Sequence, residues 1–545
     1  MQLLATEEFY LIKSVNTILK CCRNTSNLSI FYHSDISALE DLELIGDVFA
    51  FIGKVVIDGI SYLLLVTQCS ELGKISSKND TIYRIEKVCA LPILADGMKC
   101  KTFFENINGI DNLERLKNQP KKFAKMISHK MPMRNLPISP KLIDEIVVFL
   151  SQPNSFYFAH NFDITRSLQS ATSNTDLSDS RFFWNRQLLD EFFVRDGTPI
   201  PAFKDWITPI IHGYVDQQTI SFDLDSPLLT LTLISRRSIK RAGVRYLRRG
   251  IDEDGDVANF VETEFIICMF DHCLSFVQCR GSVPVFWSQK GYRLKPPLVI
   301  DRPLEESLPT FSIHIEQLLH LYSIPLVIVN LADQTGREAV LCDAYLQHIL
   351  AFNCNNVSYH SFDFHQVCGN RRHHKLSELM ETLKEEISSI GFCWIDKSGK
   401  VVMRQKGIIR TVWILKFLFK DFLILKNCID CLDRTNVVQS AISQAVCLIQ
   451  CRKLGIIEAE ASVPEQFVRL LQRMWADHGD SISKQYAGTS ALKGDITRNG
   501  QRKISGLVKD GYNSASRYYL SQMCDANRQR VIDAILGLSI TEEDA

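Results

Sequence analysis

The spacing of apolar residues changes character along the chain. Positions 45–57 (IGDVFAFIGKVVI) and 60–68 (ISYLLLVTQ) are apolar, β-branched runs on either side of Asp58-Gly59. That arrangement predicts a hairpin. A polar, basic stretch follows around 118–125. Over 137–150, Leu142, Ile143, Ile146, Val147 and Leu150 fall at helical intervals. A loop rich in Ser, Thr, Asn and Asp spans 170–180, and a boundary follows near Asp190. Beyond it, short apolar runs at 229–234, 263–269, 275–278 and 326–330 predict buried strands. Positions 345–351 and 376–390 predict helices. So do the apolar residues at 437, 438, 441, 442, 445, 446, 448 and 449. The mixture predicts an α/β or α+β fold, with one unit over 1–190 and a larger one over 191–545.

Composition narrows the class. The 545 residues carry 62 Lys+Arg and 62 Asp+Glu, so the formal charge is zero; 46% are hydrophobic and 23% charged. Such a chain is neither disordered nor fibrous. Zero net charge argues against a dedicated nucleic-acid binder, so an anionic partner must be met by a local patch. The first twelve residues lack a basic n-region and include Glu7 and Glu8, unlike a signal peptide. The 17 cysteines are scattered, which without a secretory leader predicts reduced thiols in the cytoplasm. The longest apolar run, 412–425, is interrupted by Lys416, Lys420 and Asp421 and predicts no membrane span.

The string 427–436, NCIDCLDRTN, carries candidate chemistry. Cys428 precedes Arg434 by five intervening residues. A loop of that length can close around one phosphate dianion, with the backbone N–H groups of Asn427, Ile429, Cys431 and Leu432 turned inward. A following helix adds its positive end. That dipole and Arg434 would favour the Cys428 thiolate. The planar Arg434 fork can grip two phosphoryl oxygens. Thr435 and Asn436 open the helix, with Thr435 able to cap it. The chemistry is covalent catalysis through a cysteinyl-phosphate and calls for no metal or cofactor. By itself Cys-x5-Arg is weak, since about one match arises by chance among this many cysteines. Two ordinary thiols in a buried turn, or a Cys428-x-x-Cys431 redox or half-zinc motif, stand beside it.

The string resembles the signature of the Sac family of phosphoinositide phosphatases. The likeness extends over nearly the whole chain, through 156–163 (FYFAHNFD), 181–185 (RFFWN), 235–249 (SRRSIKRAGVRYLRR), 259–264 (NFVETE), 280–289 (RGSVPVFWSQ), 330–338 (NLADQTGRE), 361–365 (SFDFH) and 485–495 (QYAGTSALKGD). The strings 286–293 and 491–498 look most like the endosomal inositol 4-phosphatase branch. The resemblance implies a β-rich N-terminal lobe packed on an α/β catalytic lobe, with the Cys-x5-Arg loop opening a helix. It implies hydrolysis of phosphatidylinositol monophosphates, foremost the 4-phosphate, by a protein peripheral to cytosol-facing endosomal or other endomembranes. Cys428 carries over as nucleophile and Arg434 as phosphate binder. Asp430 and Asp433 are candidate general acids, because a carboxyl beside an anionic phosphate has a raised pKa. Bracing of the loop is the plainer role for either.

Arg236, Arg237, Lys240, Arg241 and Arg245 belong to a run without acids, followed at once by Asp252, Glu253, Asp254 and Asp256. With a phosphoinositide implied, part of the run is expected to face substrate or membrane. A solvated turn neutralised by those acids is the plainer reading. His365 and Asp363, Lys493, Asp480 and the cluster 371–375 are further candidates, each with an ordinary structural role as its alternative.

One departure stands out. In the family an Arg-x-Asn-Cys string enters the loop, whereas here Arg410-Thr411 is separated from Asn427-Cys428 by Val412 to Lys426 (VWILKFLFKDFLILK). This segment is read as an aberrant insert. Either its end, FLILK, replaces the strand that enters the loop, or the strand stops near Thr411 and the thiolate is misplaced. A catalytically inactive phosphoinositide-binding scaffold is therefore the alternative function. A protein-phosphotyrosine phosphatase with the same loop is a second.

Overall fold

The computed structural model describes residues 1–32, 41–75, 80–93, 140–172, 179–221, 227–245, 247–289, 297–331, 338–362, 374–412, 433–458, 463–491, 516 and 524–538. Strands β1 (Gln2–Ala5), β2 (Phe9–Lys13), β3 (Ile18–Cys22), β4 (Leu28–Phe31) and β5 (Glu43–Asp47) form one sheet in the order β4-β3-β2-β1-β5. Its apolar face, with Leu3, Ile12 and Leu19, packs on Phe51, Leu63, Leu65 and Trp206.

The second sheet runs through the whole molecule. It starts with β6 (Ala50–Ile57), β7 (Ile60–Lys74) and β8 (Thr81–Pro92). Asp58 and Gly59 both have positive φ, as a two-residue type I′ hairpin requires. Helix α1 (Pro140–Leu150) precedes β9 (Phe156–Ala159). Then come β10 (Ile210–Ile220), β11 (Leu229–Arg237), β12 (Val261–Met269) and β13 (His272–Arg280), each antiparallel to the strand before it. The β9–β10 pairing carries one ladder across the region of Asp190.

After β13 the connections become helical. A two-stranded ribbon, β14 (Trp287–Ser288) and β15 (Val299–Ile300), leads into α2 (Leu304–Tyr322), β16 (Leu326–Asn330), α3 (Ala339–Phe352) and β17 (Val357–Ser361). Then follow α4 (His374–Thr382), α5 (Lys384–Ile390), β18 (Cys393–Ile395), β19 (Val401–Met403) and β20 (Ile408–Val412). Strand β20 slots between β13 and β16, parallel to both, and β17 is parallel to β16. Both β16 and β20 are buried at all five positions, as parallel strands covered on two faces must be.

Helices α6 (Asp433–Lys453) and α7 (Glu465–Ala487) cover one face, where Val438, Ile442 and Trp475 meet Val261, Val329 and Ile409. Helices α2 and α3 cover the other, where Phe311 and Tyr345 meet Ile328 and Ile408. This is the mixed α/β architecture the periodicities predicted. Two local expectations change. The helix expected over 376–390 is broken into α4 and α5 at Leu383. The thiols are not all free, since Cys268 and Cys273 lie directly opposite across the β12–β13 hairpin and are disulfide-bonded.

The last described helix, α8 (Asp525–Leu536), packs on α1 and on the first half of the large sheet. Gln529 fastens it to the loop after β11, with Oε1 accepting from Val244 N at 3.0 Å and Nε2 donating to Ala242 O at 3.3 Å. Ile532 is fully buried among Ile146, Phe149 and Val244. We expect Ile532→Ala to cost about 2–5 kcal/mol. Urea unfolding should show a lower midpoint with an unchanged slope.

Candidate active site

Four parallel strands point the same way. Strand β13 ends at Arg280, β20 at Val412, β16 at Asn330 and β17 at Ser361. Strand β11 lies two antiparallel steps from β13, so its end, Arg237, falls on the same edge. The cross-strand register Arg237↔Val261↔Arg280↔Thr411↔Val329 places these residues in one row. Ligands of open α/β sheets sit at this carboxyl edge. Three of the strings quoted above, 280–289, 330–338 and 361–365, begin at it. The string 427–436 runs into the helix that follows β20.

That helix, α6, is described from Asp433 onward, so its first described turn, with the positive end of the helix, is Asp433, Arg434, Thr435 and Asn436. It is clamped to the sheet by two amides. Gln278 Nε2 donates to Gln439 O at 3.0 Å, and Gln439 Nε2 donates to Cys279 O at 3.3 Å. Thr435 is fully buried. Among the described residues neither its hydroxyl nor that of Thr411 at the end of β20 has a hydrogen-bond partner.

Asn427, Cys428, Ile429, Asp430, Cys431 and Leu432 lie outside the described residues. Asp433 and Arg434 are placed as the first helical residues, and their side chains are not described. Asp363, His365, Lys493 and 371–373 are also outside. Asp480 accepts a hydrogen bond from Ala491 N at 2.9 Å, which ties the chain after α7 back to that helix. The strand between β13 and β16 is Ile408–Val412. The rival strand FLILK (422–426) lies outside the described residues.

Sequence reasoning missed a polar network behind the first turn of α6. Asn436 Nδ2 donates to Trp475 O at 2.7 Å, and its Oδ1 lies 2.7 Å from His478 Nδ1. His478 Nε2 lies 2.7 Å from Ser235 Oγ, which is 3.0 Å from Thr263 Oγ1. All four side chains are at most 2% exposed. Gly479 lets them approach, because a Cβ there would sit 2.6 Å from Asn436 Nδ2. Burial, and then the Arg280 charge, hold the His478 imidazole well below the usual histidine range. The string 475–481 contains His478, but nothing in it signals a partner 243 residues away.

The basic run is not a surface patch. Arg236, Arg237 and Arg245 are each at most 2% exposed, so the membrane-facing expectation does not hold for them. Their strand end and the loop after it are covered by α7 and α8. Arg236 sits between two buried carboxylates, with Nη1 3.1 Å from Glu262 and Nη2 2.7 Å from Glu264. Lys240 is half-exposed and meets Asp256 at 4.0 Å, while Arg241 meets Asp252 at 3.8 Å. The acidic turn therefore does neutralise that part of the run. Arg237 has no carboxylate at ion-pair distance among the described residues. Among the described residues its guanidinium hydrogen-bonds to His212 Nδ1 and to the carbonyls of Gln485 and Gly243, all at 3.4 Å. Burial, with the charges of Arg528 and Arg280, pulls its guanidinium down to about 9. Arg237 and Arg280, in one row of the sheet, thus place two buried cations beside this edge.

Strand β20, followed in the chain by helix α6, ends at the carboxyl edge of a mixed sheet with buried cations beside it, which defines an α/β protein with its candidate site at that edge. The family described as the SacI homology domain matches residues 49–369. The phosphatidylinositide phosphatases SAC2 of Danio rerio and Homo sapiens are each 36% identical over 100% of this chain and 51% of their own length. The phosphatidylinositol-3-phosphatase SAC1-B of Danio rerio is 36% identical over 77% of this chain and 70% of its own. The chain belongs to the SacI homology domain family. It spans about half the length of the SAC2 relatives. No helix among the described residues is long and apolar enough to cross a membrane.

Arg236 is the clearest test of the interior charges. Arg236→Ala strands Glu262 and Glu264 without their cation, and we expect a loss of about 3–5 kcal/mol. Replacing Lys240, at the surface, should change stability by less than about 0.5 kcal/mol. Urea unfolding of the two variants side by side checks both.

Proposed function

We propose that this chain is a phosphoinositide phosphatase that removes the phosphate of phosphatidylinositol monophosphates, with the 4-phosphate preferred. The observation that carries the reading is the meeting of β20, the start of α6 and the buried cations Arg237 and Arg280 at one carboxyl edge. The relatives' names support the substrate class. The Cys428 thiolate attacks phosphorus, and the bond to the inositol oxygen breaks. That oxygen takes a proton from Asp430 or Asp433. Water then hydrolyses the cysteinyl-phosphate, giving its proton to the same carboxylate and releasing phosphate and thiolate. Arg434 and the N–H groups from Asn427 to Asn436 hold the phosphoryl oxygens throughout.

The substrate is a lipid in a cytosol-facing membrane, endosomal by the likeness. Of the basic run, Lys240 is the side chain exposed enough to meet that surface. Residues 1–190 and 191–545 are read as two lobes joined by the continuous sheet. The inactive scaffold remains the second reading, favoured by the twenty residues, 413–432, between β20 and α6. If the segment 412–426 is removed, Asn427 takes the place of Val412 at the strand end and Cys428 follows at once.

The test is phosphate release from short-chain phosphatidylinositol 4-phosphate without added metal. The chain and a version lacking 412–426 are compared, each beside its Cys428→Ser control. We expect release from the shortened version, abolished by Cys428→Ser. Release by the full chain as well would show that the segment is tolerated. A folded, lipid-binding protein with no turnover in either form would overturn the enzyme reading. Faster turnover of a phosphotyrosine peptide would reassign the substrate.

A further inference from the structure

The network behind α6 has one consistent hydrogen assignment. Trp475 O can only accept, so the Asn436 group 2.7 Å away is its NH2, and Oδ1 is the atom that faces His478 Nδ1. A carboxamide oxygen also only accepts, so Nδ1 carries the proton. A ring with one N–H then leaves Nε2 as acceptor for Ser235 Oγ–H at 2.7 Å, and Ser235 Oγ accepts from Thr263 Oγ1–H at 3.0 Å. Every donor in the chain has one acceptor. A second ring proton would aim N–H at Ser235 and turn the hydroxyls around. Burial and the Arg280 charge oppose it.

The network has a direction in space as well. Ser235 and Thr263 are paired residues on β11 and β12, in the middle of the sheet. His478 is on α7, and Asn436 is in the first turn of α6, two residues after Arg434. We infer that His478 is a positioning residue. As the Nδ1–H tautomer it transmits the place of the sheet to Asn436, and so sets where the first turn of α6 presents Arg434 and Thr435 to a phosphate. This rests on the phosphatase reading for its catalytic half. The bland alternative is a satisfied core histidine that contributes to stability alone. It differs because the ring is joined to the first turn of α6 through Asn436, and Asn436 also joins the backbone of α7.

Two variants and two readouts test the inference. In protein with 15N-labelled imidazoles at neutral pH, the signal missing from His478→Asn is expected to be an Nδ1–H ring. An Nε2–H ring or a doubly protonated one overturns the network. For short-chain phosphatidylinositol 4-phosphate, His478→Asn and Asn436→Ala are each expected to lower kcat tenfold or more, with KM changed less than threefold. The double variant should fall no further than the worse single one. Additive losses, or losses that merely track the folded fraction, overturn the positioning role. Orthovanadate binding, followed by calorimetry, reads the loop without turnover and should weaken about tenfold in His478→Asn. If neither the chain nor the version lacking 412–426 binds vanadate or turns over lipid, the phosphatase reading fails and positioning fails with it; the variants are made in whichever form is active. The ring tautomer is still judged by its resonance.

Discussion

Five consecutive buried residues, Ile408–Val412, have nowhere to place their backbone N–H and C=O groups except in neighbouring strands. Strand β20 meets that demand by lying parallel between β13 and β16. The antiparallel meander could have ended at β13. Because β20 docks there instead, the sheet acquires a second, parallel half whose crossovers must be helical. The insertion also decides where chemistry can sit. A strand in the middle of a sheet, parallel to both neighbours, delivers the following loop to the carboxyl edge. The helix after it, α6, then returns across the face with its positive end toward that loop.

The charges are distributed to the same purpose. A chain with equal numbers of acids and bases has no net field, yet its interior is uneven. Arg236, on one face of β11, is matched by Glu262 and Glu264. Arg237, on the other face and beside α7, has hydrogen bonds to carbonyls and no carboxylate among the described residues. Alternation along one strand therefore separates a structural cation from an electrostatic one. The second lies in register with Arg280 at the site edge. Buried cations of this kind cost stability. They are useful where an anion must be bound away from water.

Much of the architecture was legible in apolar spacing. The Asp58-Gly59 hairpin, the helix ending at Leu150 and the strand 326–330 follow from local pattern, because a half-buried element writes its period into the chain. The long helix after Thr435 was legible for the same reason. The buried fate of Arg236, Arg237 and Arg245 was not. Seven basic residues within fourteen look alike in sequence; the burial of Arg237 and Arg245 depends on α7 and α8, which arrive more than two hundred residues later, and that of Arg236 on Glu262 and Glu264 of the neighbouring strand. His478 was hidden differently. Its partners Ser235 and Asn436 come from separate elements, and no spacing rule connects them. For the site itself, sequence named the loop and the helix that carries Arg434. Structure added the edge at which β20 ends and the support beneath the first turn of α6.

The segment between Val412 and Asn427 separates what folding requires from what catalysis requires. Strand β20 and helix α6 are each built without any residue of 413–426. Loop-closure entropy rises slowly with length. Extending a connection from about five residues to twenty costs only about 1 kcal/mol. Against the buried area of the two core faces that is small, so the fold can carry the segment. A phosphate loop has no such latitude. Its N–H groups, thiolate and arginine must converge on one group of oxygens, and a displacement near 1 Å can cost about a hundredfold in rate. On the proposed reading these fourteen residues are thus nearly neutral for stability and decisive for chemistry. On that same reading, the geometry of the loop decides whether the chain turns over its substrate or only binds it.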